Sequence, residues 1–196
     1  MSAIDVLGKL DGFDVNLLGS LQRVLLVTDG TLTEILEAYF AERISLVKVA
    51  QQVIPATASH GLLNPIPGET LIERKILLQG TRTRSNYVYA ESLVAVDRLA
   101  PSFRDALLTS DTPLGRLWLE HKLETFKQMH EVRCRPANSL AHYFESGEEE
   151  PLLARTYRVI SAGRVVMVIS EYFPIAYREA PELPDVGRSA LAGAAR

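Results

Sequence analysis

Apolar and polar residues alternate with a period of two along several segments, which is typical of β-strands with one buried face. The longest such region begins near residue 70 with LIERKILLQ, passes through GTRTRS and ends in NYVYAESLVAVD. We interpret it as a long hairpin. A second pair of strands is predicted in ARTYRVISAGRVVMVISEYF, with its turn at Ala162-Gly163. Residues 44–54, rich in β-branched side chains, predict another strand.

Other segments have the apolar spacing of amphipathic helices. Residues 15–27 show this spacing, and TLTEILEAYFAERI resumes it after a break at Asp29-Gly30. We therefore expect two short helices that meet at this break. Thr31 and Glu34 have the spacing of a capping box, in which each side chain bonds an amide at the helix start.

The remaining segments are predicted less uniformly. Residues 101–108 indicate a short amphipathic helix, and Pro113 can begin another. Residues 123–134 fit a helix and a strand equally well. The segment 135–151 predicts a solvated loop. The segment 55–68, with three prolines and two glycines, predicts a loop that is either a functional cover or a structural wrap.

These elements together predict an α+β fold, in which a mostly antiparallel sheet carries helices on one face or at one end. The length of 196 residues is most simply that of one domain. We assign this domain to residues 1–180. The Ala-, Gly- and Pro-rich sequence after Pro174 is expected to fray, and residues 181–196 are expected to form a flexible tail.

Charge and composition exclude several classes of function. The formal net charge of −3 provides no broad positive field for a nucleic-acid backbone. A single cysteine, Cys134, excludes an intrachain disulfide framework. No secretory h-region and no apolar segment of membrane-spanning length is present. We expect a cytoplasmic protein with no nucleic-acid or membrane partner.

Two charged residues fall on the apolar faces of predicted strands. Arg74 shares its face with Ile76, and Glu171 is the only ionisable residue on its face of the last strand. A guanidinium cannot lose its charge and is rarely buried without a partner. The two residues either form an ion pair in the core or line a cavity that binds a small polar ligand. Glu91 is a weaker third candidate, which can simply pair with an arginine.

Several other kinds of site are not expected. The four histidines and Cys134 lack the tight spacing of metal ligands, so we expect no metal site. The sequence contains no GxSxG, GxGxxG or phosphate-loop motif. Arg82 and Arg84 are best interpreted as part of a solvated turn.

Four motifs occur in a specific order across roughly residues 20–175: VTDGTLTEILE, then ERKILLQG leading to AESLVAVDRL, then TPLGRLWLE, then RTYRVISAGRVVMVISEYF. Together they resemble the chorismate pyruvate-lyase family, especially its small stand-alone enzymes. The resemblance implies that chorismate is split into 4-hydroxybenzoate and pyruvate without a metal or organic cofactor. It also implies an antiparallel sheet with helices packed against it and a buried ligand pocket closed by flaps.

The same resemblance implies roles for four residues. Arg74, in the RxILL strand, would bind a substrate carboxylate through a planar fork that lysine imitates poorly. Glu171, in the E-x-F of the last strand, would be the catalytic residue and could protonate the ether oxygen. Proton uptake by Glu171 and hydrogen transfer within the substrate remain alternatives. Leu114 would contact the ligand through its main chain, and Leu32 would lie near it.

Chorismate has a second carboxylate, for which Arg155 or Arg158 on the penultimate strand is a candidate partner. Two other functions remain open. The same fold resembles the effector-binding domains of some transcription regulators, although we expect no winged helix before this fold. A related lyase could also act on another chorismate-derived acid or yield another hydroxybenzoate isomer. The oligomeric state is not predicted.

Overall fold

The computed structural model describes residues 2–56, 61–110 and 112–177, and six strands form one sheet over these residues. The order across the sheet is β1-β2-β3-β6-β5-β4, and each neighbouring pair is antiparallel. The strands are β1 (Ile44–Pro55), β2 (Thr70–Gly80), β3 (Asn86–Ala95), β4 (Phe126–Pro136), β5 (Pro151–Ser161) and β6 (Arg164–Pro174).

The described helices are short and lie before and between these strands. The α-helices are α1 (Ala3–Leu7), α2 (Ser20–Val27), α3 (Leu32–Phe40), α4 (Pro101–Thr109), α5 (Leu114–Glu120) and α6 (Ala141–Phe144). Three 3₁₀ helices cover Val15–Leu17, Val96–Arg98 and Asn138–Leu140. The predicted α+β class is therefore confirmed, as is the break between the helices on either side of Asp29-Gly30.

Both predicted hairpins are present. β2 and β3 form the first hairpin, and β5 and β6 form the second. At its turn, Ala162 and Gly163 have φ angles of 48° and 73°. Positive φ at both positions suits the right-handed twist of the flanking strands, so this short turn joins them without splaying.

The segment 123–134, which fitted a helix and a strand equally well, forms most of β4. Its alternation is too short to distinguish a helix from a strand. Pairing with the neighbouring strand β5 makes it a strand. β4 pairs with β5 from Phe126 opposite Ile160 to Pro136 opposite Pro151. Backbone hydrogen bonds to an existing strand therefore select the extended form.

Two local predictions are wrong. Thr31 is the N-cap residue directly before α3, but its side chain makes no capping hydrogen bond, so the predicted capping box with Glu34 is absent. The predicted solvated loop at 135–151 contains a 3₁₀ helix and α6. Ala137 and Ala141 are buried there, because their small side chains let this segment pack closely against the sheet.

The face of the sheet that carries Arg74 and Glu171 is covered by two separate groups of helices. At one end, α2 and α3 pack on a cluster that includes Leu78 and Phe173. At the other end, α4 and α5 pack on a cluster that includes Ile72. The two clusters do not fill the middle of the face, so a gap remains where the start of α3 approaches the start of α5.

The ends of the predicted domain are only partly described. Residues 178–196 lie outside the described part, so the domain end at 180 and the flexible tail at 181–196 stay predictions. Fraying directly after Pro174 is wrong for the next three residues, because Tyr177 donates a hydrogen bond to the carbonyl of Tyr87 at 3.1 Å. No helix in the described part of the chain is long and apolar enough to cross a membrane.

Candidate active site

A cavity occupies the gap between the two groups of helices. Its volume, counted as space open to the centres of water molecules, is about 80 Å³. The floor consists mainly of alternate side chains of β2, β3 and β6. Two helix starts close it: residues 30–33, which we call the first cover segment, and residues 113–118, the second cover segment. Small polar ligands typically bind in such apolar cavities, where a few polar groups orient them.

Arg74 lies in the floor of this cavity and is only 3% exposed. It sits in β2 between Gln51 of β1 and Ser92 of β3, and it shares its face with Ile76 and Leu78. The predicted face of this strand is therefore correct, and a guanidinium faces the apolar interior. Five N–H donors in a fixed plane make this group suited to a carboxylate.

Glu171 lies in the same floor, but its ion pair is with Arg155. Nε of Arg155 donates to Oε2 of Glu171 at 2.6 Å, and the hydroxyl of Tyr157 donates to Oε1 at 2.9 Å. Arg155 is therefore an ion-pair partner of Glu171, and Arg74 and Glu171 line the same cavity. Both neighbours donate, so each oxygen of the Glu171 side chain accepts a hydrogen bond from within the protein.

Burial and charge act together on this network. Burial lowers the pKa of Arg155, but the negative charge of Glu171 and the hydrogen bond to it outweigh burial, so the pKa is higher than usual. The pKa of Tyr157 is raised well above its usual value, first by burial and then by the negative charge of Glu171. Tyr157 therefore remains a hydrogen-bond donor beside a charged pair.

Arg155 does not fill the predicted role of a second carboxylate partner. Its side chain is buried, it is not among the residues that line the cavity, and Nη1 donates to the carbonyl of Thr28 at 3.0 Å. It donates to Glu171 without lining the cavity itself, and its hydrogen bond to Thr28 links β5 to the end of α2. Arg158 is on the opposite face of β5 and donates to Gln128 at 2.6 Å near the surface. This prediction is wrong for both arginines.

Leu32 and Leu114 both line the cavity, one in each cover segment. Leu32 is the first residue of α3 and Leu114 is the first residue of α5. The N–H groups of a first helical turn have no acceptor within the helix. Leu114 is thus in a position to use its main chain, as the resemblance implies, whereas Leu32 contributes a buried side chain.

The two cover segments touch through Thr31 and Gly115. A Cβ atom on Gly115 would come within 3.3 Å of Cβ and Oγ1 of Thr31 and closer still to its methyl group. Only glycine permits this approach, so the cover is closed by direct contact between two helix starts. No described residue of the 55–68 loop lines the cavity, and Leu63 of this loop is buried in a separate cluster. Within its described residues, the loop therefore fits a structural wrap.

Lys127 and Tyr157 also line the cavity, although neither was predicted from the sequence. Nζ of Lys127 donates to the carbonyl of Gly30 at 3.0 Å. Burial lowers the pKa of Lys127, although the nearby charges of Glu171 and Asp29 act in the opposite direction. The face of Lys127 could not be assigned while 123–134 was undecided between helix and strand. Tyr157 had a usable signal, because it follows Arg155 on the same face of a predicted strand.

The other candidates have ordinary structural roles. Glu91 is 3.4 Å from Lys75 and accepts a hydrogen bond from Tyr89 at 2.9 Å, so its partners are a lysine and a tyrosine rather than an arginine. Arg82 and Arg84 lie in the exposed turn between β2 and β3. Within the described residues, no group of three or more His, Cys, Asp or Glu side chains is arranged to hold a metal ion.

Most of the sequence is similar to known proteins. Residues 26–180 match the model of the Rv2949c-like chorismate pyruvate-lyase family. This chain belongs to that family. A chorismate pyruvate-lyase of Mycobacterium tuberculosis is 32% identical over 170 residues, which cover 83% of this chain and 85% of the relative. A chorismate pyruvate-lyase of Mycobacterium leprae is 29% identical over 152 residues, which cover 77% of this chain and 72% of the relative. The prediction of a lyase is thereby confirmed.

Several solved structures resemble this chain in fold. PhnF from Mycobacterium smegmatis has a TM-score of 0.59 and 12% identity, and the match covers 76% of this chain and 65% of that one. The effector domain of PhnF has a TM-score of 0.57 and 12% identity, and the match covers 74% of this chain and 88% of that domain. A GntR-family transcriptional regulator from Bacillus cereus has a TM-score of 0.53 and 10% identity, and the match covers 69% of this chain and 95% of that one. At these identities the likeness concerns the fold alone.

Proposed function

We propose that this member of the chorismate pyruvate-lyase family converts chorismate into 4-hydroxybenzoate and pyruvate. The observation that carries the proposal is that Arg74 and Glu171 line one covered cavity, although they are 97 residues apart in the sequence. Leu32 and Leu114, the other two residues implied by the resemblance, line the same cavity. Four residues chosen from sequence motifs therefore converge on one site.

In this proposal, Arg74 holds the ring carboxylate of chorismate. The guanidinium presents paired N–H donors, and the apolar surroundings strengthen a charge-assisted hydrogen bond. The product keeps this carboxylate, so Arg74 serves substrate and product alike. The ring lies against the apolar floor, and the two cover segments exclude water from it.

Glu171 is assigned a role as acceptor in this proposal. The C–H bond at the ring carbon that carries the hydroxyl loses its proton, and its electron pair forms the new aromatic double bond. The ether C–O bond to the ring breaks, and the enolpyruvyl oxygen takes the bonding pair. A proton then completes the methyl group of pyruvate. Glu171 takes the ring proton, because it is the acidic side chain among the described lining residues and both of its neighbours donate to it rather than accept from it.

Aromatisation supplies the driving force, so the protein mainly has to orient the substrate and move a proton. We propose on this basis that turnover needs no metal or organic cofactor. The purified chain, incubated with chorismate and a chelator, should release pyruvate and 4-hydroxybenzoate in equal amounts. A preparation that turns over only after a divalent ion is restored would contradict the cofactor-free reaction. A different aromatic product would contradict the proposed regiochemistry.

A second candidate function is binding without catalysis, because the effector domain of PhnF has the same fold. The two functions give different results in one experiment. An effector-binding domain would bind chorismate or 4-hydroxybenzoate in a calorimetric titration and leave chorismate unchanged. Pyruvate release at a rate proportional to protein concentration would exclude this second function.

A further inference from the structure

Lys127 is a second cation at the cavity, and it reaches the cavity from the edge strand β4. Lys127 is opposite Val159 in β5, and so on the inner face of the sheet. Its ammonium group donates to the carbonyl of Gly30 in the first cover segment at 3.0 Å. It also lies 5.6 Å from the ring centre of Trp118 in the second cover segment and 5.4 Å from that of Tyr157. One ammonium group therefore contacts both cover segments.

The charges around the cavity match a ligand with two negative groups. Arg74 and Lys127 are the cationic side chains among the described lining residues, and Glu171 is the acidic one. The charge of Glu171 is balanced by Arg155 at 2.6 Å, which is not part of the lining. The cavity thus presents two cationic side chains to a ligand, and its one described acidic side chain is already paired with an arginine outside the lining. Chorismate has two carboxylates, one on the ring and one on the enolpyruvyl group.

We propose that Lys127 binds the enolpyruvyl carboxylate of chorismate and thereby distinguishes substrate from product. The inference rests on the proposed function, and it assigns the second carboxylate to a residue of β4. Arg74 binds the group that remains in 4-hydroxybenzoate, whereas Lys127 binds the group that leaves as pyruvate. Substrate affinity depends on both cations, but product affinity depends on Arg74 alone.

The local structure suits this role. The partner of Lys127 at Gly30 is a neutral carbonyl, and a carboxylate forms a stronger, charge-assisted bond with an ammonium group. The four-carbon stem of lysine lets Nζ move between the two acceptors. The faces of Trp118 and Tyr157 attract a cation that has lost part of its hydration. Once the leaving group departs, Lys127 returns to Gly30.

The test compares substrate and product affinity in Lys127→Gln, in the Glu171→Gln background, in which chorismate should survive long enough for titration. We expect the Kd of chorismate to rise by about tenfold or more, as for a lost bond to a charged group. The Kd of 4-hydroxybenzoate should stay near that of the parent. Lys127→Arg should recover part of the chorismate affinity, because it keeps the charge. Lys75→Gln, on the opposite face of β2, is the matched control.

Two results would overturn this inference. If Lys127→Gln binds chorismate as tightly as the parent, Lys127 does not contact the second carboxylate. If it loses affinity for chorismate and 4-hydroxybenzoate equally, Lys127 only holds the cover closed. Lys127→Arg decides the same question should Lys127→Gln unfold, since it should favour chorismate over 4-hydroxybenzoate as the parent does. These titrations do not require turnover, so a failed lyase reaction in the wild-type protein remains a separate result.

Discussion

Arg155 and Glu171 face each other directly across the antiparallel strands β5 and β6, with Nε of Arg155 2.6 Å from Oε2 of Glu171. Arg155 is 1% exposed and Glu171 is 8% exposed, so the pair is buried. Only Glu171 of the two lines the cavity. The pair therefore joins the core of the protein to its candidate active site, and both stability and activity should depend on it.

Removal of Arg155 should strongly destabilise the protein. In Arg155→Met the carboxylate of Glu171 stays buried without its counter-charge, and we expect a loss of about 3–5 kcal/mol in the free energy of unfolding. Adding Glu171→Leu should recover much of this loss, because neither charge of the pair then remains. Urea denaturation measures both effects. Arg158→Met, at the surface of the same strand, should change stability by about 1 kcal/mol or less. Equal stability of Arg155→Met and Arg158→Met would show that the ion pair is not important.

Replacement of Glu171 should affect catalysis more than product binding. Glu171→Gln keeps the shape of the side chain but removes the proton acceptor, so kcat should fall by about a hundredfold or more. The Kd of 4-hydroxybenzoate should change little, because Arg74 remains. The thermal midpoint should also fall, since Arg155 loses its counter-charge. Pyruvate release and calorimetry give the two functional values. A near-normal kcat would mean that Glu171 only supports the core.

Arg74→Lys should weaken the binding of both chorismate and 4-hydroxybenzoate. A single ammonium group replaces a planar fork, and the loss of one charge-assisted hydrogen bond corresponds to about a tenfold or larger rise in Kd. Steady-state kinetics and product titration measure the two effects. Lys75→Arg, in the next residue but on the opposite face, should leave both values nearly unchanged. Unchanged affinity in Arg74→Lys would place the carboxylate site elsewhere.

The contact between Thr31 and Gly115 should control closure of the cavity. In Gly115→Ala the new methyl group meets the side chain of Thr31, so the cover segments move apart. We expect 4-hydroxybenzoate, added at the start of a progress curve, to slow the wild-type enzyme because release requires opening of the cover. This inhibition should be weaker in Gly115→Ala and partly restored by adding Thr31→Ala. Gly147→Ala, where only ordinary contacts would form, is the control. Equal inhibition of all four proteins would argue against a closing contact.

Glu42 should make stability depend on acid pH at a site away from the cavity. Burial raises its pKa, but hydrogen bonds from Tyr87, Thr83 and the backbone of Arg82 and Thr83 outweigh burial and lower the pKa from 4.5 to about 2. The folded pKa is below the unfolded one, so this stabilisation is present above pH 4.5 and is lost as the pH falls towards 2. Glu42→Gln should cost about 1–3 kcal/mol at neutral pH. Its deficit relative to wild type should shrink in thermal melts below pH 4.5. A deficit independent of pH would contradict the lowered pKa.

The sequence alone determined the elements whose signal is local. Alternation with period two assigned Arg74 and Glu171 to inward faces, because side-chain direction in a strand depends only on position along that strand. The turn residues Ala162-Gly163 are also a local signal, and they identified the second hairpin. The resemblance of the motifs implied ligand contacts for Leu32 and Leu114, and both residues line the cavity. A charged residue on an apolar face was thus the local signal that identified two residues of the cavity floor.

Tertiary structure decided which charges meet. The sequence suggested Arg74 as a partner of Glu171, whereas the register of β5 against β6 places Arg155 directly opposite Glu171. Lys127 acquired an inward face only when pairing with β5 made its segment a strand. Thr31 meets Gly115 because two helices, each amphipathic by itself, dock on one face of the sheet from opposite ends. Register and docking arise from contacts between residues far apart in the chain, and a local pattern contains no information about them.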